Sequence, residues 1–309
     1  MYVLYSSIDI SWKRGQLVVQ KYTSQGELAW THKPLLESFQ GGAGIAIHED
    51  AVYVTGNETN RGDNSDNAVL VKYSTAGQEL WRKTYGPQGY PNVSTGLEVD
   101  VGSAGNLYVV GVTYSHESPA SYTFLSKLGV AGNEIWTEQF DALSLEIGST
   151  TGVAVSGDSV YVIGSEPDDD GGDGVISNDV SVLHLSLDGG LRGTYTFGVV
   201  GGVDEVLDID ADSSGVVFSG TTRTSFAGPR LGGAADGYVY KLGFNGAKLW
   251  SKMQQTLEVD STNAVLLHSN GELYAAGATN GSLGSPNRGD SDGFLRRLDS
   301  SDGATVWTK

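Results

Sequence analysis

The sequence has no cysteine, few prolines and no long apolar run, and each of these shortages excludes a class of structure. Without cysteine there can be no disulfide, no Cys-ligated metal and no thiol nucleophile. Only seven of the 309 residues are proline, and no segment approaches the run of about 20 apolar residues that a membrane-spanning helix needs. Residues 1–15 also lack the charged start and the continuous apolar stretch of a signal peptide. We therefore expect a mature, folded protein that does not insert into a membrane.

Basic residues are scarce as well. Lys and Arg total 19 against 37 Asp and Glu, which gives a formal net charge of −18. Binding to nucleic acid or to an anionic membrane requires a surplus of basic side chains, so we expect neither as a partner. The excess negative charge favours solubility and could attract divalent cations.

Glycine is abundant, and its positions reveal a repeat. Some of the 44 glycines end a five-residue word of apolar and aromatic residues, such as VYVTG and LYVVG. The word ends at Gly56, Gly111, Gly164, Gly220 and Gly277, about every 55 residues, and MYVLY at the N-terminus is a sixth copy. A fixed period of this length indicates a repeat architecture.

A second word, Gly-x-x-x-Trp, follows in most units. Its tryptophans are Trp30, Trp81, Trp136, Trp250 and Trp307. In the remaining unit Gly193 stands where the tryptophan would be. We expect the large indole rings to pack across the contact between neighbouring repeats.

Two further segments in each unit have the pattern of strands. One is short and apolar, as in GIAIH at 44–48, and the other alternates, as in AVLVKY at 68–73. Four short antiparallel strands in a repeat of this length are typical of a propeller blade. The sequence therefore predicts an all-β chain that forms one six-bladed β-propeller domain over residues 1–309. The GIAIH-type strand would be innermost in each four-stranded blade, and the Trp strand outermost.

The phase of the repeat affects the first blade. The chain begins at a second strand, so the first blade lacks an innermost strand, whereas the last blade is complete at Lys309. Either the first blade has three strands, or the natural protein continues beyond Lys309 and supplies the fourth, in which case this chain is a fragment.

Nearly the whole chain resembles a known family at the level of motifs, most clearly at 238–309. The segments GELYAAGATNGSLGSPNRGD and SDGFLRRLDSSDGATVW resemble the bacterial beta-propeller repeat known as SBBP. Matching positions include the Asp that opens the third strand, here Asp179, Asp236 and Asp292. The resemblance implies a propeller fold and an extracellular or cell-surface location, and it implies no particular activity.

The long, variable segments all belong to one face, which carries the second-to-third loops and the connections between blades. The most acidic of them, at 166–174, contains Asp168, Asp170 and Asp173 among glycines, and Asp179 follows. Because Ca²⁺ takes six to eight oxygens in irregular geometry, these four residues are the candidate calcium ligands. No flanking helices are expected, which excludes an EF-hand. The alternative is a solvated acidic loop.

No residue is assigned a catalytic role. The five histidines fall in different units, and the sequence has no nucleophile elbow, HExxH or Walker loop. The tetrapeptide NRGD occurs twice, at Asn60–Asp63 and Asn287–Asp290, where Asn and Asp beside Gly favour turns that bond their own backbone.

These features favour a non-enzymatic binding or scaffold module of an exported or cell-surface bacterial protein. We expect its loop-rich face to contact a protein or a glycan. Two alternatives stay open: a hydrolase or lyase with a calcium-assisted site in the central funnel, and a structural subunit of a surface layer or filament.

Overall fold

The computed structural model is all-β in the part of the chain that it describes. The described residues are 2–9, 14–23, 25, 27–32, 39–60, 65–87, 92–115, 118–141, 149–168, 177–199, 202–268 and 270–309. Within these ranges there is no helix, and so none that could cross a membrane. The chain divides into two compact units, Met1–Leu145 and Glu146–Lys309, and each contains three sheets.

The first unit holds sheets 1 to 3. Sheet 1 is β1 (Tyr2–Asp9), β2 (Arg14–Tyr22) and β3 (Leu28–His32); sheet 2 is β4 (Phe39–His48), β5 (Ala51–Asn60), β6 (Ser65–Ser74) and β7 (Glu79–Tyr85); sheet 3 is β8 (Asn92–Val101), β9 (Leu107–Ser115), β10 (Ser118–Leu128) and β11 (Glu134–Asp141). Consecutive strands pair antiparallel throughout.

The second unit holds sheets 4 to 6. Sheet 4 is β12 (Ser149–Ser156), β13 (Ser159–Asp168), β14 (Ser177–Ser186) and β15 (Leu191–Phe197); sheet 5 is β16 (Asp204–Asp212), β17 (Gly215–Thr222), β18 (Asp236–Leu242) and β19 (Lys248–Gln254); sheet 6 is β20 (Asp260–Leu267), β21 (Leu273–Thr279), β22 (Asp292–Leu298) and β23 (Thr305–Thr308). Pairing is again antiparallel.

These sheets confirm the predicted fold class, six antiparallel sheets of propeller-blade type. Sheet 1 has three strands among the described residues and the other five have four, as the phase of the repeat predicts. In each four-stranded sheet the GIAIH-type strand and the last strand, which carries the tryptophan in every sheet but sheet 4, form opposite edges. Every strand except β3 and β23 has at least seven residues, and β4, β5 and β6 each have ten, because the ladders continue into the flanks of the loops.

The glycine of the first word is required by close packing inside its own sheet. A Cβ on Gly220 would lie 1.9 Å from the carbonyl oxygen of Glu205 and 2.8 Å from the hydroxyl of Tyr238. A Cβ on Gly277 would likewise lie 1.9 Å from the carbonyl oxygen of Ser261 and 2.8 Å from the ring of Phe294 on β22. The first strand therefore approaches the second too closely for any side chain at this position.

The glycine of the second word has a different role. Gly77, Gly132, Gly246 and Gly303 lie in the turn before the last strand, with φ between 73° and 88°, a left-handed conformation that favours glycine. In sheets 2, 3 and 6 this glycine packs beneath the tryptophan of the preceding sheet in the same unit, as Gly303 does beneath Trp250. The expectation that the tryptophans pack across the contact between repeats is confirmed at these three junctions.

In sheet 4 a different residue takes the place of the tryptophan. The sequence pattern places Gly193 where the tryptophan would be, and the gap is filled by Tyr195, two residues further along β15. A Cβ on Gly246 of sheet 5 would lie 2.2 Å from the Tyr195 ring, the same relation that Trp250 has to Gly303. Alternation along a strand directs side chains two residues apart to the same face, so Tyr195 replaces the missing indole.

The apolar core lies between consecutive sheets. Between sheets 4 and 5 it is built from Ile163, Val182, Phe218 and Tyr238 together with their neighbours. Similar clusters fill the space between sheets 2 and 3 and between sheets 5 and 6. Within each unit a sheet therefore depends on its neighbour for burial of its apolar faces, as expected for blades that cannot be stable singly.

Candidate functional site

The loops of sheets 5 and 6 that follow their second strands are described in full. They run from 223 to 235 and from 280 to 291, and the connection between the two sheets, 255 to 259, emerges at the same end. Because connecting loops on a rigid frame are where binding residues concentrate, this end of sheets 5 and 6 is the candidate site.

Arg230 holds the loop of sheet 5 in one conformation. Its Nε donates to the carboxylate of Asp236, which is fully buried at the start of β18. Its two terminal nitrogens donate to the carbonyls of Arg223 at 2.6 Å, Gly232 at 3.2 Å and Gly233 at 2.9 Å. The planar guanidinium can direct several donors in fixed directions at once, so one side chain fixes both ends of the loop.

Gln255 joins this loop to the connection between the sheets. Its Oε1 accepts from the backbone N–H of Leu231 at 2.9 Å, and its Nε2 donates to the carbonyl of Pro229 at 2.9 Å. On the inner side of the loop, the Phe226 ring packs edge-on against Tyr238 with a centroid distance of 4.9 Å. The loop is thus bonded on one side and packed on the other.

Two leucines project from this fixed backbone. Leu231 is 64% exposed and Leu257 is 70% exposed, the largest fractions among the exposed large apolar side chains of the described residues. A methyl carbon of Leu257 lies 3.5 Å from the position a Cβ would take on Gly232, so the two leucines come from adjacent segments. We call Leu231 and Leu257 the leucine patch.

The base of these loops is held by buried carboxylates that the sequence reasoning missed. Asp204, the first residue of β16, accepts hydrogen bonds from the hydroxyls of Thr222 and Thr224. Asp260, one repeat later at the start of β20, accepts from the N–H and hydroxyl of Thr256. Their recurrence one repeat apart was the available signal in the sequence. Both are structural supports of the loops.

The loop of sheet 6 contains the second NRGD. The Asn287 side chain accepts from the N–H of Gly289 at 2.8 Å and donates to the carbonyl of Gly281 at 3.3 Å, and Arg288 N donates to Asp292 at 2.8 Å. The predicted local role, a turn that bonds its own backbone, is confirmed here. Residues 61–63 of the first copy lie outside the described residues.

The candidate calcium ligands are only partly within the described residues. Asp170, Asp173 and the side chain of Asp168 lie outside them, and Asp179 is in β14, opposite Glu166. Burial raises the pKa of Asp204, and the charge of Asp179 raises it further, which places these two carboxylates in electrostatic contact. Among the described side chains no group of three His, Asp or Glu is arranged to hold a metal ion. Calcium binding stays a prediction.

Sheet 4 brings together a serine, a histidine and an aspartate, a group that the sequence reasoning did not find. The Oγ of Ser159 lies 3.0 Å from Nε2 of His184 and donates to Asp158 at 3.0 Å. Arg192 donates to Ser159 at 2.9 Å and binds Asp158 with two nitrogens. In a hydrolase triad the aspartate holds the histidine, whereas here it contacts the serine, which is itself buried. The arrangement is that of a structural network.

The signal for this network was the departure of sheet 4 from the repeat. His184 lies opposite Gly193, at the register position where sheets 2, 3 and 5 pair a lysine with the tryptophan. Burial lowers the pKa of His184, and Arg192 lowers it further against the opposing effect of Asp158. The histidine ring also stacks on Tyr161 with a centroid distance of 4.7 Å.

Comparison with known proteins gives the fold. No family model matches the chain, and no curated protein matches its sequence. A solved protein of unknown function from Bacteroides caccae has a TM-score of 0.51 at 11% identity, over 99% of this chain and 92% of its own. A variant of Synechocystis apocarotenoid oxygenase has a TM-score of 0.54 at 10% identity, over 95% and 69%. At such identities these similarities concern architecture alone, and the architecture that the chain shares is the β-propeller.

Proposed function

We propose that this protein is a non-enzymatic binding module and that a partner protein docks on the leucine patch. The supporting observation is that Leu231 and Leu257 are highly exposed while the backbone beneath them is fixed by Arg230 and Gln255. A preformed loop loses little conformational entropy on binding. Burying each leucine would contribute about 1.5–3 kcal/mol.

The chemistry of the patch favours a protein over a glycan. Protein interfaces have an apolar centre within a polar rim, and the two segments that carry the leucines also carry the exposed side chains of Arg223 and Glu258. A glycan is polar over most of its surface, and covering its hydroxyls with leucine methyls would leave them without hydrogen bonds. We therefore propose a partner with an apolar recess rimmed by charges of both signs.

The proposal includes an extracellular or cell-surface location. Its support is the resemblance of the last blade to the SBBP repeat, which we propose as the family of this chain. A net charge of −18 would keep such a module soluble and separate from nucleic acid.

The experiment is a quantitative capture of surface proteins from the producing cells by the immobilised chain. The test variant is Leu231→Ser with Leu257→Ser, and the matched control is Leu249→Ser, whose leucine is 53% exposed on β19 of the same sheet. Loss of two buried leucines corresponds to a fall in affinity of about 100-fold or more. We expect capture to disappear with the double variant and to persist with the control.

Equal capture by both variants would contradict docking on the patch. A glycan array with the same three proteins separates the two kinds of partner. If the double variant still binds a glycan, the loop-rich face recognises sugar through residues other than Leu231 and Leu257.

A further inference from the structure

The first strands of sheets 5 and 6 are joined by carboxylates. Oδ2 of Asp208 on β16 accepts from the backbone N–H of Val265 on β20 at 2.8 Å. Oδ2 of Asp210 accepts from the N–H of Leu267 at 2.7 Å. Alternate N–H groups of a strand point to the same side, so the two aspartates cover consecutive donors on one edge of β20. We call this pair of contacts the carboxylate ladder.

Each aspartate also bonds its own strand. Oδ1 of Asp208 accepts from the N–H of Ile209 at 2.9 Å, and Oδ1 of Asp210 accepts from that of Ala211 at 2.8 Å. Both carboxylates are therefore fixed by one bond on β16 and one on β20. A change in the charge of either carboxylate therefore alters a hydrogen bond between sheets 5 and 6.

A β-bulge directs the ladder toward sheet 6. The register of β16 against β17 shifts between Val206 and Asp208, which leaves Leu207 as the extra residue. The same bulge occurs in β8, where Glu98 and Asp100 follow it and bond the next N–H of their own strand at 3.0 and 2.7 Å. The carboxylate positions are thus part of the repeat, although not every sheet uses them.

Sheets 2 and 4 carry small residues at the same register positions. Sheet 4 has Gly152 and Ala154 there, and a Cβ on Gly152 would lie 2.8 Å from the Ile209 side chain of sheet 5. That junction is made by apolar packing and the next one by carboxylates. The junction of sheets 5 and 6 is therefore sensitive to charge at these positions, whereas the junction of sheets 4 and 5 is not.

Burial raises the pKa of Asp208 to about 7, because removal from water disfavours the charged form. The N–H groups of Val265 and Ile209 act in the opposite direction, and the charge of Asp210 raises the pKa further. Asp210 is the one titratable group that acts on Asp208 among the described residues, and β20 contributes the Val265 N–H.

We propose that Asp208 makes the junction of sheets 5 and 6 a proton-controlled joint, held closed when its carboxyl is neutral and loosened when the proton leaves. The neutral carboxyl still accepts from Val265 and does not repel Asp210. The charged form places two carboxylates side by side in a partly buried junction. The folded state binds the proton more tightly than the unfolded chain, in which an aspartate has a pKa of about 3.9. The stabilisation is therefore complete below pH 4 or so and is lost as the pH rises through 7.

Hydrogen exchange at Val265 and Leu267 tests the joint directly. Protection factors of these two amides, corrected for the intrinsic exchange rate, are measured between pH 5.5 and 8.5 in the full chain. We expect protection to fall by about tenfold or more between pH 5.5 and 7, since each pH unit between the unfolded and folded pKa values is a factor of ten, and to level off above pH 7. In Asp208→Asn, which cannot ionise, the protection should stay level across this range.

The matched control is Asp212→Asn, on the same strand, whose carboxylate bonds the neighbouring Ser214. It should keep the fall of the unaltered chain. A carboxyl NMR titration of the unaltered chain covers the case in which Asp208→Asn does not fold. An Asp208 midpoint near pH 4, or amide protection at Val265 that does not change with pH, would overturn the proposal.

Discussion

The indole nitrogen of Trp250 in sheet 5 donates a hydrogen bond to the carbonyl oxygen of Ser300 in sheet 6 at 3.2 Å. Lys241 donates to the same oxygen at 2.9 Å. In the first unit Trp30 reaches the carbonyl of Thr75 in the same way, at 3.0 Å. At these two junctions the tryptophan therefore covers the turn of the next sheet and also satisfies one of its backbone acceptors.

Replacing this tryptophan should destabilise the second unit. Trp250 is buried, and Trp250→Ala removes both the ring and its hydrogen bond, so the free energy of unfolding should fall by about 3–5 kcal/mol. Trp250→Phe keeps most of the ring and should cost about 1–2 kcal/mol. Urea denaturation measures both. Leu249→Ala on the exposed side of the same strand should stay within about 0.5 kcal/mol. A similar loss there would mean that β19 tolerates no change at all.

Two glycines of sheet 6 separate backbone strain from crowding. Gly303 has φ of 73° and Gly271 has φ of 84°, so Ala at either position should cost about 1–2 kcal/mol for the left-handed conformation. A Cβ on Gly303 would also lie 2.7 Å from the Trp250 ring, whereas at Gly271 nothing lies within 4 Å. Gly303→Ala should therefore lower the free energy of unfolding by about 1–3 kcal/mol more than Gly271→Ala. Equal losses would show that the ring moves aside freely.

The regular part of the fold could be predicted from the sequence because its causes are local and recur. The glycine before Trp250 is needed for a turn, and Gly220 is needed because the Glu205 carbonyl occupies the space of its side chain. Both constraints act within one repeat or between adjacent repeats. They leave the same residues at the same spacing in each repeat, which is why the number and order of strands could be predicted from four recurring segments.

The candidate site could not be predicted in the same way, because its contacts join distant segments that do not repeat. Nothing in the sequence pairs the segment of Leu231 with that of Leu257, which Gln255 joins by bonding the loop of sheet 5. The role of Asp208 depends on a bulge, and one extra residue reverses the face to which all later side chains point. The sequence pattern did not identify Tyr195 as the replacement for the tryptophan, because Tyr195 lies two residues after Gly193, the position that the tryptophan takes in the other repeats.

The network of sheet 4 should make the protein sensitive to acid. The pKa of His184 is lowered by burial and by Arg192, from about 6.5 in the unfolded chain. A group with a lowered folded pKa binds protons more weakly in the native state, so its contribution is complete above pH 6.5 and is lost as the pH falls through the folded value. The melting temperature of the unaltered chain should fall between pH 6.5 and 5.

His184→Gln isolates this effect, because glutamine cannot take up the proton but can still bond Ser159. Its melting temperature should fall less over the same pH range. His268→Gln, at an exposed position of sheet 6, should behave as the unaltered chain does. If both variants lose the acid dependence to the same extent, the sensitivity does not arise in sheet 4.

The last prediction concerns Arg230, whose removal would leave Asp236 buried without its ion pair. Arg230→Ala also frees the carbonyls of Gly232 and Gly233, so the loop should lose its single conformation. Breaking a buried pair from one side costs about 3–5 kcal/mol, since the remaining charge has no partner. Arg223→Ala is the matched control, because this loop uses the carbonyl of Arg223 and a substitution retains it. Denaturation should show the large loss only at Arg230.

A second measurement distinguishes loss of the loop from loss of the sheet. If Arg230 acts chiefly on the loop, amide protection at Leu231 should fall by more than protection within β18, which lies at the centre of sheet 5. Adding Asp236→Asn to Arg230→Ala removes the unpaired charge and should restore most of the stability while the loop stays open. The double variant would then be a stable protein with a disordered leucine patch, and its weaker capture of a partner would follow from loop order alone. Uniform loss of protection across sheet 5 would instead make Arg230 a support of the whole blade.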